Sequence, residues 1–262
     1  MNTFIKTTSG SKFQKKVAEL LNSPLLQLDD AYIKDNSKIT FVANQSIVDY
    51  NNLRYAPKPK SSVQRSLLDS TLRKLSSLID TTKPVIDLGG SKAYNQLFGF
   101  EKINYHVANL ESAADYNLDL NSPNFNLNKK YSTIISLNTL LLVENIKSCL
   151  DNIINILDDQ GLVILDFIGQ TYWYLGPDGR HWHTFNPSQI DNLIANRLDF
   201  VIIPIGNTYL GSLNYFLKNI RSPFLKKHWR IKRLIRKSLS SLFSKVKDPC
   251  TAIHYLVIGL KK

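Results

Sequence analysis

The stretch from Pro84 to Gly99, PVIDLGGSKAYNQLFG, governs the reading of the whole chain. Val85, Ile86 and Leu88 form a short apolar run rich in β-branched side chains, interrupted by the acid Asp87. A glycine pair, Gly89 and Gly90, follows, and then a run able to form a helix. The order is strand, tight turn, helix, which is how a nucleotide-binding βα unit opens. Glycines let the backbone turn sharply and come close to a ligand, and a helix start offers unpaired N–H groups to anionic atoms. The same order also serves as a plain strand-to-helix turn in an α/β protein.

Upstream of this unit, residues 11–22 (SKFQKKVAELLN) carry the apolar spacing of a short helix, which Pro24 stops. LLQLDD, KITFVANQ and SIVDYNNLRYA read as short strands of a small antiparallel unit. APKPKSS is a Pro/Lys/Ser linker, so a boundary is expected near residue 60. Leucines at 67, 68, 72, 75 and 78 make the following segment a helix leading into the first main strand. Downstream, INYHVANL (103–110), ADYNLDL and YSTIISLN (131–138) read as strands. NIKSCLDNIINILDD reads as a helix with Gly161 as its C-cap. GLVILDFI, DFVIIPIG and TAIHYLVIGL are further strands, with NPSQIDNLIAN a helix between the first two. Strands alternating with helices predict a mainly parallel, doubly wound sheet.

The 262 residues suffice for one large α/β domain with extensions. No apolar run is long enough to cross a bilayer, and the N-terminal residues lack a signal-peptide core. Cys149 and Cys250 are too few for a disulfide framework or a thiolate metal site, which fits a reducing cytoplasm. The net charge of +12 is strongly localised. Residues 200–247 hold eleven Lys or Arg and no Asp or Glu, so that segment carries +11 and the rest of the chain +1.

In this order of elements the chain resembles the class I S-adenosylmethionine-dependent methyltransferases, from about Val63 to its end. Within them it is most similar to methyltransferase type 11 proteins of glycan biosynthesis. The residues that carry the likeness are Asp87-Leu88-Gly89-Gly90-Ser91, Tyr105 to Glu111, Ser132 to Leu137, Asp159-Gln160-Gly161 and His183-Thr184-Phe185-Asn186-Pro187. The resemblance implies a Rossmann-like sheet of seven strands with the last antiparallel, over residues 61–262. A small extension (1–60) precedes it and a basic helical insertion (207–249) precedes the last strand. The extension also resembles, faintly, a zinc ribbon whose cysteine positions are empty, so no metal is expected.

The resemblance further implies S-adenosyl-L-methionine as cofactor. Asp87 would order the turn, while Gly89, Gly90 and Ser91 would cradle the methionyl carboxylate. Asn109 and Leu110 would border the ribose, Asp119 the adenine, and Ser136 and Asn138 the methyl-transfer site. The departures are specific. Ser91 and Ala93 replace two glycines of the usual loop, Asn109 replaces the ribose-binding acid, and Leu140-Leu141-Leu142 replaces Leu-Glu-His. An amide can accept one ribose hydroxyl and donate to the other, without the strength of a carboxylate. A catalytically degenerate relative that binds a membrane or partner is therefore an alternative to an enzyme.

GPDGRHWHTFNP (176–187) is a turn signature followed by Arg180, His181, Trp182 and His183. Methyl transfer to a hydroxyl needs mainly positioning and a proton acceptor, so His183 or His181 is the expected base, with Arg180 and Trp182 against the substrate. The pair lacks a third ligand for zinc. In 222–247, apolar residues recur at three- and four-residue spacing among Lys, Arg and Ser. Such a helix suits an anionic membrane surface, each basic residue contributing about 1 kcal/mol near acidic lipid, or it packs on its own domain. Nucleic acid fits less well, because Phe224 and Trp229 sit at one end instead of interleaving with the charges. The expected reaction is O-methylation of a glycan or lipid-linked glycan, in the cytoplasm or on the inner membrane face; RNA methylation is a further alternative.

Overall fold

The computed structural model describes residues 5–28, 39–42, 63–90, 104–111, 113–125, 127–169, 183–206 and 252–262. In chain order they form β1 (Ile5–Thr7), α1 (Lys12–Leu21), β2 (Leu25–Leu28), β3 (Thr40–Val42), α2 (Val63–Leu75), β4 (Val85–Leu88) and β5 (Tyr105–Asn109). Then come β6 (Tyr116–Asn117), β7 (Tyr131–Ser136), α3 (Ile146–Ile156), β8 (Leu157–Ile168), α4 (Pro187–Ile194), β9 (Leu198–Ile205) and β10 (His254–Lys261).

These strands build one sheet in the order β1-β2-β3-β9-β10-β8-β7-β4-β5-β6. From β6 to β8 all neighbours are parallel, and β10 runs antiparallel to both β8 and β9. The sheet is thus ten strands wide among the described residues, where the sequence predicts seven. The three additional strands come from the N-terminal extension, since β3 pairs in parallel with β9 at Phe41 and Ile202. β1 was invisible as a strand because three residues, one of them Lys6, give no periodic signal.

Each central strand is apolar on both faces. Along β4 and β7, Ile86, Leu88 and Ile134 belong to one buried cluster with Leu150 and Ile153 of α3 and Ile190 of α4. Val85 and Ile135 belong to a second, with Val17 and Leu21 of α1 and Leu68 and Leu72 of α2. Burial on both faces explains why these strands read as unbroken apolar runs. α1 and α4 begin with the same device: Ser11 and Asn186 each accept from the N–H of a glutamine three residues on, whose side chain accepts in return.

One expected cap is corrected. α3 ends at Ile156, not before Gly161. Leu157 is fully buried and already pairs with Tyr131, so the chain turns extended there and β8 runs through 158–161. Gln160, with φ of +57°, takes the left-handed conformation that Gly161 was expected to supply. The helix expected after Gly90, the strand expected at SIVDYNNLRYA and the basic segment 207–249 lie outside the described residues.

Candidate functional site

Strand order places the crevice. From β4 the chain proceeds to β5 and β6 on one side, while β7, β8 and β10 lie on the other, so the order reverses between β4 and β7. Ligands of open α/β sheets bind outside the carboxyl ends of the strands at such a reversal. Gly89 and Gly90 stand at the carboxyl end of β4, and Asn138 and Thr139 at that of β7.

Gly89 is exposed and has φ of +70°, a conformation in which a Cβ is strained. A Cβ built there would also lie 2.2 Å from Thr139 Cγ2, so Thr139 rests directly on the bare glycine. The Gly89 N–H donates to the Ala108 carbonyl at 2.7 Å, which commits that amide to the sheet and not to a ligand. At Gly90 a Cβ would fall 1.9 Å from Asp87 Oδ2, so the loop backbone sits down on the Asp87 carboxylate. Asp87 is fully buried and accepts from Tyr105 Oη at 2.7 Å, as a buried carboxylate requires. Tyr105 therefore belongs to the loop's support, a role sequence reasoning missed. An aromatic residue at the start of the second strand was the available signal.

Asn109 closes the arrangement. Its Nδ2 donates to the Gly90 carbonyl at 2.7 Å and its Oδ1 accepts from the Glu111 N–H at 2.6 Å. The side chain thus clips the β4 loop to the β5 loop, with Leu110 exposed at the bend. Asp119 is exposed and accepts from the Asn121 N–H at 2.9 Å, ordering its own turn. Asn121 Oδ1 in turn accepts from the Glu144 N–H at 2.8 Å.

On the other side of the crevice, Ser136 is buried and its hydroxyl donates to the Leu88 carbonyl at 3.2 Å, tying β7 to β4 beneath the loop. Asn138 adopts a left-handed φ of +55°, and its N–H donates to Asp166 Oδ2 at 3.3 Å. Leu140 and Leu141 are buried in a 3-10 turn, while Leu142 is exposed. His183 Nε2 lies 2.9 Å from the Glu144 carbonyl. A carbonyl only accepts, so Nε2 carries the hydrogen and Nδ1 holds the lone pair of the neutral ring. Phe185 anchors this segment: its N–H donates to the Ile168 carbonyl and its ring meets Phe167 edge-on at 5.0 Å.

Asp87, Gly89, Gly90 and Asn109 are thus brought into one bonded unit, with Ser136 below it. Glu144 links the Asp119 turn to His183 through its backbone. Ser91, Arg180, His181 and Trp182 lie outside the described residues. Among the described residues no three His, Cys, Asp or Glu side chains gather as a metal site, and no helix is long and apolar enough to cross a membrane. Sequence reasoning also missed Asp166 and His254, which meet beside Asn138. The signal was one acid in GLVILDFI and one imidazole in TAIHYLVIGL, both otherwise apolar strands.

No family model and no curated protein matches the chain. Solved structures that are similar include a coclaurine N-methyltransferase bound to N-methylheliamine and SAH, at 14% identity and TM-score 0.47. That likeness covers 79% of this chain and 76% of the other. An O-methyltransferase from a trans-AT PKS multienzyme of Brevibacillus brevis, with S-adenosyl-L-homocysteine, is similar at 13% identity and TM-score 0.44, covering 84% and 79%. The N-methyltransferase NodS from Bradyrhizobium japonicum WM9, in complex with SAH, is similar at 11% and 0.43, covering 96% and 99%. With TM-scores below 0.5, these likenesses say nothing of this chain's chemistry, which rests on its own strand order and loop contacts.

Proposed function

We propose that the chain is an S-adenosylmethionine-dependent methyltransferase of the type 11 kind, acting on a hydroxyl of a glycan or lipid-linked glycan. The observation that carries this reading is the glycine turn at the reversal of strand order. It is exposed at Gly89, seated on Asp87 and clipped by Asn109. An exposed turn at the carboxyl end of β4 stands where a ligand of such a sheet binds.

The cofactor supplies a methyl group already activated on a sulfonium. The residues divide the remaining work. Gly90 and Ser91 would face the methionyl carboxylate, Asn109 and Leu110 the ribose, and Asp119 the adenine. Asn138, Arg180 and Trp182 would border the acceptor. Holding two reactants in line supplies most of the rate in such a displacement. With the cofactor held there, the acceptor oxygen would take its methyl group and give up a proton. The proton leaves to an imidazole: His183, whose lone pair is at Nδ1 because Nε2 serves Glu144, or His181.

The basic segment 222–247 favours an acceptor held at an anionic membrane surface on the cytoplasmic side. The test of the cofactor reading is calorimetric titration with S-adenosylhomocysteine. Saturable binding by the wild type, and none by a folded Gly89→Arg variant, is expected; no heat with folded wild type refutes the reading. Sedimentation with phosphatidylglycerol vesicles, but not with phosphatidylcholine vesicles, tests the membrane surface.

A further inference from the structure

Asp166 and His254 form a buried carboxylate–imidazole pair that the roles above leave unused. His254 Nδ1 lies 3.1 Å from both Asp166 oxygens, across 88 residues of sequence. Asp166 is fully buried and His254 is 6% exposed. Taking a carboxylate out of water costs several kcal/mol, and an apolar pair of the same volume would pack without that cost. Every other side chain of β8 from Leu162 to Ile168 is apolar, so packing alone gives no reason for an acid at 166.

The position of the pair supplies a reason. Asp166 stands near the carboxyl end of β8 and His254 at the start of its antiparallel neighbour β10, so both lie at the crevice end of the sheet. Contacts connect them to the glycine loop without a gap. His254 bonds Asp166, Asp166 accepts from the Asn138 N–H, and Thr139, the next residue, rests on Gly89. Strand alternation also sets Asp166 on the same face as Asp87, since Ile164 and Val85 share one buried cluster.

We propose that Asp166 is a negative group, further to Asp87, that favours a positive centre in this crevice, and that His254 is the positioning residue that holds its carboxylate in place. The inference rests on the methyltransferase reading, and it makes Asp166 a specificity determinant between two forms of one cofactor. S-adenosylmethionine carries a sulfonium charge that S-adenosylhomocysteine lacks. A fixed carboxylate therefore raises affinity for the first and eases departure of the second after the methyl group has gone. Two strand spacings separate β8 from β4, about 10 Å. At an effective dielectric of about 20 to 40, Coulomb attraction over that distance corresponds to roughly a four- to seventeenfold preference for the charged form.

The experiment measures the dissociation constants of S-adenosylmethionine, S-adenosylhomocysteine and sinefungin, in which a carbon bearing an amino group replaces the methylsulfonium. Wild type, Asp166→Asn and His254→Gln are compared, each checked for a cooperative melt. The expected result in Asp166→Asn is a roughly four- to seventeenfold fall in affinity for both cationic ligands relative to S-adenosylhomocysteine, whose own affinity stays within about threefold. His254→Gln, which keeps a donor toward Asp166, holds or raises the cationic preference and stands in if the first variant does not fold. An unmoved preference in Asp166→Asn, a parallel loss of all three ligands, or a lost preference in His254→Gln overturns the proposal alone. Failure of wild type to bind any of the three overturns the methyltransferase reading, and this inference with it.

Discussion

Substituting Gly90 by Ala tests whether the loop truly rests on Asp87. The new Cβ would fall 1.9 Å from Oδ2 and 2.0 Å from Cγ, where Cβ contacts under 3.0 Å are essentially never seen. The gap must open by 1.1 Å, the difference between 3.0 and 1.9 Å. The carboxylate is not the far end of a free side chain, because Tyr105 Oη holds it at 2.7 Å inside the core. Overpacking of this kind costs about 1–3 kcal/mol. If the carboxylate swings aside, it also forfeits a charged hydrogen bond worth about 1.5–3 kcal/mol. Gly90→Ala should therefore destabilise by about 2.5–6 kcal/mol, or lower Tm by roughly 5–24 °C for a chain of this size. Urea unfolding of the single and double variants checks the cause. In an Asp87→Ala background the obstruction is gone, and Gly90→Ala should cost below about 1 kcal/mol. Equal costs in the two backgrounds would refute the reasoning.

Four further outcomes follow from described contacts. Tyr105→Phe removes the phenol that serves the buried Asp87 and should cost about 1.5–3 kcal/mol in urea unfolding. Asn109→Ala unclips the loop and should weaken S-adenosylhomocysteine binding by about tenfold, one hydrogen bond's worth, with little change in Tm. Burial pushes the Cys149 thiol up to about 12. An unfolded thiol titrates near 8.5, so above that pH the unfolded chain sheds a proton that the folded one keeps. Stability then falls as pH rises toward 12, by up to about 1.4 kcal/mol per unit. In a Cys250→Ser background, Cys149→Ala should abolish this share of the slope between pH 8 and 10. His106 is held below its ordinary 6.5, first by partial burial and then by Lys129, whose Nζ lies 2.8 Å from Nε2. Because the unfolded chain binds the proton more readily, stability rises with pH across that window. The NMR titration midpoint should lie below 6.5 and move upward in Lys129→Gln.

The parts of this molecule that were legible in its sequence are those set by local pattern. Val85 to Leu88 and Ser132 to Ile135 read as buried strands because both faces are apolar. NPSQIDNLIAN read as a helix from its own composition, and its observed cap, Asn186 with Gln189, is complete within four residues. The site was legible to the same extent: the glycine turn and its acid were evident from their order. What the acid touches was not. Tyr105 reaches Asp87 across 18 residues, and His254 reaches Asp166 across 88, distances at which periodicity carries no information. Asn109 was legible as a residue at the right place, but its bond to Gly90 depends on how two loops fold toward each other. Gly161 misled because a glycine after a helix is usually its cap, and here the pairing of Leu157 with Tyr131 ended the helix first.

The seat of β10 has a consequence for how the chain reaches this shape. Residues 254–261 lie between β8 and β9, with seven backbone pairings to one and eight to the other. Until residues 254–261 are in place, β8 and β9 have no partner for those facing edges, and residues 162–168 and 200–205 are almost wholly apolar. Assembly of the sheet's middle must wait for a strand made well after β9, a high-contact-order closure that is slow and leaves partly folded molecules open to mispairing with one another. Slow folding, and association of partly folded molecules through the open edges of β8 and β9, are what such a late keystone entails.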